Sequence, residues 1–268
     1  MNSTLTRAIS GAVYIVLLIS ATFYSSNSFL LFFGILLLIA VSEFCKLVNL
    51  KNIVPMLIAV GLFILCNLSY TIKTNDILIL LATLLVSIKA IFFLFDKKNK
   101  PVDSLSKYVY LIGYIILPFV LITKIPFVEN SYNPNIILSI FILIWVNDTF
   151  AFLVGKTFGK HKLFEKVSPK KTIEGFLGGL TFSVLGSILI AKFFIGTSNI
   201  GIWIGIAILV SIFATLGDLI QSKFKRLAGV KDSGKIMPGH GGILDRLDSI
   251  IYVAPFIFLF YQILNYVS

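Results

Sequence analysis

Charged side chains are scarce. Only 13% of the 268 residues are Asp, Glu, Lys or Arg, where a soluble domain carries about 25%. The chain is 57% hydrophobic, with a mean hydropathy of +0.98. That balance excludes a water-soluble globule and gives an integral membrane protein, with length for a single membrane domain over 1–268. Cysteine is nearly absent: Cys45 and Cys66 lie in or beside apolar runs, in no metal or redox spacing, and read as buried small hydrophobes. Two histidines, His161 and His240, are too few for a zinc site of the usual type. Acidic residues are also few, 12 against 23 Lys and Arg, for a net charge of +11. In a soluble protein that excess would point to nucleic acid. Here it follows from the cytoplasmic bias of Lys and Arg in membrane proteins, and no nucleic-acid partner is expected. Internal repeats, low-complexity tracts and a soluble domain are missing as well.

What is present is a series of apolar runs. A span needs roughly 20 mostly apolar residues. Nine runs qualify, near 8–24, 28–45, 53–70, 76–95, 108–123, 135–154, 175–195, 200–220 and 245–267. The expected fold is therefore all-α and polytopic, with about nine transmembrane helices. Arg7 ahead of the first run resembles a signal peptide, but no small-x-small cleavage site follows, so the run reads as a helix. Nineteen of the 23 Lys and Arg fall at the N-terminus or after helices two, four, six and eight. Only Lys73 and Lys124 fall in the opposite loops, while Lys89 and Lys192 lie within spans. This asymmetry predicts a cytoplasmic N-terminus and, with nine spans, a C-terminus on the other side. Glu43 is expected to pair with Lys46, and Lys89 to snorkel to the cytoplasmic surface. Pro118 and Pro126 are expected to kink or end helix five.

Two polar clusters interrupt the hydrocarbon. The larger, Gly217 to Ser249, holds Asp218, Asp232, Asp245 and Asp248 with Lys223, Lys225, Arg226, Lys231, Lys235, Arg246 and His240. Charges beside hydrocarbon are costly unless paired, metal-bound or facing a water-filled cavity. Acids that suit a divalent cation, mixed with cations that suit phosphate, point to phosphate handling at a membrane surface. Asp245 and Asp248 stand three apart, on one face of a helix; the same placement also suits a cap and ion-pair arrangement at a helix start. The smaller cluster runs from Trp145 to Gly179. Its Asp148 is an intramembrane acid beside Asn147, a functional candidate whose structural alternative is a pair with a lysine from another helix. Ser168-Pro169-Lys170-Lys171-Thr172 reads as a turn opening a helix, a place that suits phosphate. By the predicted topology both clusters lie on one side of the bilayer.

Together these residues resemble a known family. Ser222-x-Phe224-Lys225-Arg226, then Lys231-Asp232-x-Gly234, then Pro238-Gly239-His240-Gly241-Gly242-x-x-Asp245-Arg246-x-Asp248 is similar to the signature of the phosphatidate cytidylyltransferase (CDP-diacylglycerol synthase) family. Asn147-Asp148-Thr149 and Ser168-Pro169-Lys170-Lys171-Thr172-x-Glu174-Gly175 resemble it too, so the clear likeness covers about residues 140–255, the expected catalytic region. The resemblance implies transfer of cytidylyl from CTP to phosphatidate, giving CDP-diacylglycerol and pyrophosphate. It implies one or two Mg2+ ions with a further monovalent ion as an option, and a homodimer in a bacterial inner membrane with its site facing the cytoplasm. On this reading Asp218 and Asp245 are the metal ligands, and Asp148 and Asp248 the second catalytic candidates. Lys170, Lys171, Ser222, Lys225, Arg226, Lys231, His240 and Arg246 bind substrate. Two other classes compete. A secondary transporter would place its acids at the midplane and show paired repeats. A CDP-alcohol transferase would carry Asp-x-x-Asp-Gly, whereas Asp248 is followed by Ser249.

Overall fold

The computed structural model describes residues 3–67, 74–96, 101–127 and 131–267. Lys73, Lys97, Lys98 and Lys100, which contribute to the charge asymmetry, lie outside the described residues, as does the end of the expected third span. The elements in order are α1 (Ser3–Tyr24), α2 (Ser26–Val48), α3 (Ile53–Asn67), α4 (Thr74–Phe95), α5 (Ser104–Tyr110), α6 (Leu117–Lys124) and α7 (Pro134–Phe158). A hairpin of β1 (Lys162–Phe164) and β2 (Ser168–Thr172) follows, then α8 (Ile173–Leu189), α9 (Ile200–Leu227) and α10 (Leu244–Val267). The protein is thus an all-α, multi-pass membrane bundle. Among the described residues eight helices are long and apolar enough to cross a bilayer, counting α5 through α6 as one. The expected third span is shorter in its described part: α3 has 15 residues, a rise of about 22 Å.

Helix ends follow local chemistry. Ser25 and Ser28 form a reciprocal cap on α2, whose other end closes on Asn49 in the left-handed region at φ 54°. Asp103 caps α5 by accepting from the Ser106 amide at 3.0 Å, and Asn133 caps α7 ahead of Pro134. Pro118 does not end its helix. It lacks the N–H that would bond one turn back, and the irregularity is a widened π-turn just upstream, Leu111–Ile116. Pro126 sits in the tight turn Ile125–Phe127 that closes the run. Lys89 reaches Ser106 Oγ at 2.8 Å near the end of α4.

The expected turn at Ser168–Thr172 is instead strand β2, antiparallel to β1 with Lys162 opposite Thr172 and Phe164 opposite Ser168. Pro169 biases the residue before it away from helix. Helix α8 starts only after Thr172, whose buried hydroxyl accepts from the Gly175 amide at 3.1 Å. Two close helix contacts then set the site. A Cβ on Gly175 would stand 2.6 Å from the Ala151 carbonyl, so glycine lets α8 press against α7. A Cβ on Gly217 would stand 2.6 Å from the Asp248 carbonyl, so α9 and α10 meet beside Asp218. Below them Phe224 is ringed by Phe44, Phe93, Tyr110 and Tyr114 at centroid distances of 4.6–5.8 Å. The buried Lys223 caps the end of α4 by donating to the carbonyls of Phe93 and Asp96. That packing fixes the end of α9 that carries Lys225.

Candidate active site

Asp148 on α7, Asp218 on α9, and Asp245 and Asp248 on α10 all line one cavity of about 620 Å³. Lys170 and Lys171 enter its wall from β2, Lys225 from α9 and Arg246 from α10. Eight of the expected site residues, scattered over about a hundred positions of sequence, therefore share one chamber. Two ion pairs span it: Lys171 Nζ to Asp218 Oδ2 at 2.6 Å, and Lys225 Nζ to Asp245 Oδ1 at 2.7 Å. The second Asp245 oxygen accepts from the backbone amides of Ser233 at 2.7 Å and Gly242 at 2.9 Å. Asp245 thereby ties the glycine-rich loop to the first turn of α10. Ser222 lies one turn beyond Asp218, and its hydroxyl donates to Asp218 Oδ1 at 3.2 Å. That bond restrains the Asp218 carboxylate, and Ser222 itself does not line the chamber.

Three expected contacts lie elsewhere. Arg226 is exposed and donates to the Val230 carbonyl at 3.1 Å, closing the end of α9. Lys231 is exposed and borders neither cavity. His240 borders a second, smaller cavity of about 240 Å³. Its Nδ1 is 2.8 Å from Ser10 Oγ on α1, and Ser10 also donates to the Pro238 carbonyl at 3.0 Å. Burial, with the Arg246 and Arg7 charges nearby, holds the imidazole pKa below its ordinary value. The smaller cavity has an apolar wall from Ile15, Phe141, Ile144 and Trp145, and it shares Asp148, Asp245, Arg246, Asp248 and Ser249 with the larger one.

Several contributors were not among the expected site residues. Lys162 lines the larger cavity, as does Asp232, which the signature contains but to which no role was assigned. Lys162 is there because the hairpin register sets it opposite Thr172; only that pairing could have distinguished it from the other loop lysines. The amide oxygen of Asn147 is buried with no hydrogen-bond partner among the described residues, packed against Gly179 of α8, where an added Cβ would stand 2.8 Å away. The expected Glu43–Lys46 pair does not form. Lys46 is exposed, whereas Glu43 is 2% exposed and turned inward. It accepts from Ser233 Oγ at 2.9 Å and from the amides of Ile243 at 3.1 Å and Leu244 at 2.8 Å.

The donor set suits Mg2+. Hard carboxylate oxygens face a chamber that also holds cations for phosphate, and Mg2+ commonly takes one or two carboxylates and completes its shell with water and substrate phosphate. Among the described residues no three His, Cys, Asp or Glu side chains form a ready-made cage.

Comparison with known proteins bears on the same residues. A sequence profile of the cytidylyltransferase family matches residues 5–264. The chain belongs to the cytidylyltransferase family. Among its relatives, a phosphatidate cytidylyltransferase of Staphylococcus aureus (strain COL) is 36% identical over 94% of this chain and 95% of the relative. Phosphatidate cytidylyltransferases of Staphylococcus haemolyticus (strain JCSC1435) and Staphylococcus epidermidis (strain ATCC 12228 / FDA PCI 1200) are each 48% identical, over 48% and 47% of the chain and 50% and 48% of the relatives. Membership spans the apolar N-terminal half, where the sequence alone offered no motif. It thus takes in α1, which lines the smaller cavity, and α2, whose Glu43 holds the loop, together with the acidic chamber.

Proposed function

We propose that the protein transfers the cytidylyl group of CTP to phosphatidate, forming CDP-diacylglycerol and releasing pyrophosphate. The observation that carries this reading is the common wall: Asp148, Asp245, Arg246, Asp248 and Ser249 border both cavities. The larger, lysine-rich chamber suits a triphosphate. The smaller one, walled by apolar side chains of α1 and α7, suits a lipid phosphate whose acyl chains remain in the bilayer. A phosphatidate phosphate oxygen attacks the α-phosphorus of CTP. The new P–O bond forms as the bond to the bridging oxygen of the β-phosphate breaks, and that oxygen leaves with pyrophosphate.

No protein nucleophile is needed; the work is to align two anions and stabilise the charge that gathers between them. Lys170 and Lys171 grip the triphosphate, and Arg246, at the junction of the cavities, faces both substrates. Without substrate, Lys171 and Lys225 neutralise Asp218 and Asp245. Polyphosphate offers those lysines a second anionic partner and frees carboxylate oxygens. Asp218 and Asp245 would then hold Mg2+, which supplies Lewis-acid neutralisation of phosphate charge. His240 and its glycines close the loop over α1.

On this reading residues 140–255 are the catalytic region of a single membrane domain, and the protein is a homodimer of a bacterial inner membrane with the chamber facing the cytoplasm. Labelled CTP tests activity and orientation together, since it does not cross bilayers. Inverted membrane vesicles given Mg2+ and phosphatidate are expected to release pyrophosphate, and sealed right-side-out vesicles to release none until opened. Release of CMP, or turnover independent of phosphatidate, would contradict the reaction. Equal turnover in both vesicle types would contradict the orientation.

A further inference from the structure

We infer that Glu43, on α2, is a positioning residue that sets Asp245 for the reaction. The inference rests on the reading of Asp245 as a working carboxylate. Glu43 accepts from three donors: Ser233 Oγ at 2.9 Å, the Ile243 amide at 3.1 Å and the Leu244 amide at 2.8 Å. The last two flank the start of α10, where backbone amides lack helical partners and an acid is favoured. Asp245 grips the same loop from its other side, through the amides of Ser233 and Gly242. Ser233 is therefore held twice, by its hydroxyl to Glu43 and by its amide to Asp245.

Two glycines complete the clamp. A Cβ at Gly234 would collide with Glu43 Oε1, and a Cβ at Gly242 with Glu43 Oε2 and Ser233 Oγ. These positions must lack a side chain for the loop to wrap the Glu43 carboxyl group. The Asp245 carboxylate is thus positioned by a loop that is itself anchored to a helix about 190–200 residues earlier. Glu43 borders neither cavity, so its effect passes through the loop and Asp245.

The test uses the full-length protein in detergent with Mg2+, CTP and phosphatidate. Glu43→Gln keeps one acceptor oxygen and turns an amide N–H2 toward backbone donors; kcat is expected to fall about 10-fold, and about 10²-fold in Glu43→Ala, the scale of a misplacement near 1 Å. KM for CTP is expected to stay within about threefold, because Lys170 and Lys171 stand on β2, away from the clamp. A merely structural role would lower the amount of folded enzyme and leave kcat per folded molecule unchanged. Hydrogen exchange at Ile243 and Leu244 is expected to speed up in both variants, while α7 and α8 remain protected. Gly242→Ala, which crowds the same carboxyl group from the loop side, is expected to reproduce both effects. Wild-type kcat in Glu43→Gln, or unchanged exchange at Ile243 and Leu244, would overturn the inference. If the wild-type protein transfers no cytidylyl group, the proposed function fails, and the exchange measurement still decides whether Glu43 holds the loop.

Discussion

His240 offers a titration that can be followed at its own position. Its pKa is held down by burial and by the Arg246 and Arg7 charges. A depressed histidine pKa favours the neutral form in the fold. Its contribution is fully present above the ordinary value of about 6.5 and is lost as pH falls through the lower folded value. Acidification should therefore loosen the contact of Pro238 and His240 with Ser10 on α1. Wild-type activity is expected to decline below about pH 6.5 with a component that His240→Asn lacks; superimposable pH profiles for the two proteins would rule this out. Much at this level was readable in advance. Mixed charge beside hydrocarbon marked Asp148, Asp218, Asp245 and Asp248, and the structure gathers all four. Glu43 was not readable, because its partners lie 190–201 residues away and no local pattern relates them. Arg226 stands inside the signature, but its side chain turns outward to the Val230 carbonyl, a direction that residue spacing alone does not give.

The packing of α8 on α7 supports the chamber from beneath β2. A Cβ at Gly175 would meet the Ala151 carbonyl at 2.6 Å and the Thr172 hydroxyl at 2.9 Å. Gly175→Ala should therefore push the two helices apart and displace Lys171 along with Thr172. The expected cost is about 1–3 kcal/mol of stability, with a raised KM for CTP. Gly186, on the same helix, is a matched control: its added Cβ would meet nothing closer than 3.8 Å. Gly186→Ala is expected to leave thermal midpoint and KM unchanged, and an equal loss in both variants would refute the packing argument. Apolar run length located the helices well, since a membrane leaves little choice of backbone structure. It failed at the hairpin. Three residues of β1 and five of β2 are too short to show a period, and the charges there resemble any cytoplasmic loop.

Across the whole molecule, two loops that are far apart in sequence close over one end of a helical bundle. The lysine asymmetry anticipated that they share a side, because positive charge is kept on one face of a membrane protein. It could not say that they share a cavity, which depends on how α8 packs on α7 at Gly175 and α9 on α10 at Gly217. The second cavity was equally out of reach. Its apolar wall comes from α1 and α7, and nothing in those runs separates a cavity-facing Ile15 or Trp145 from a lipid-facing neighbour. The decisive observation is turnover by Asp218→Asn and Asp245→Asn, two amides of unchanged shape on different helices of the same chamber. Each variant should accumulate as folded protein and lose at least about 10²-fold in phosphatidate-dependent pyrophosphate release. Near-normal release by either one would contradict a shared carboxylate site.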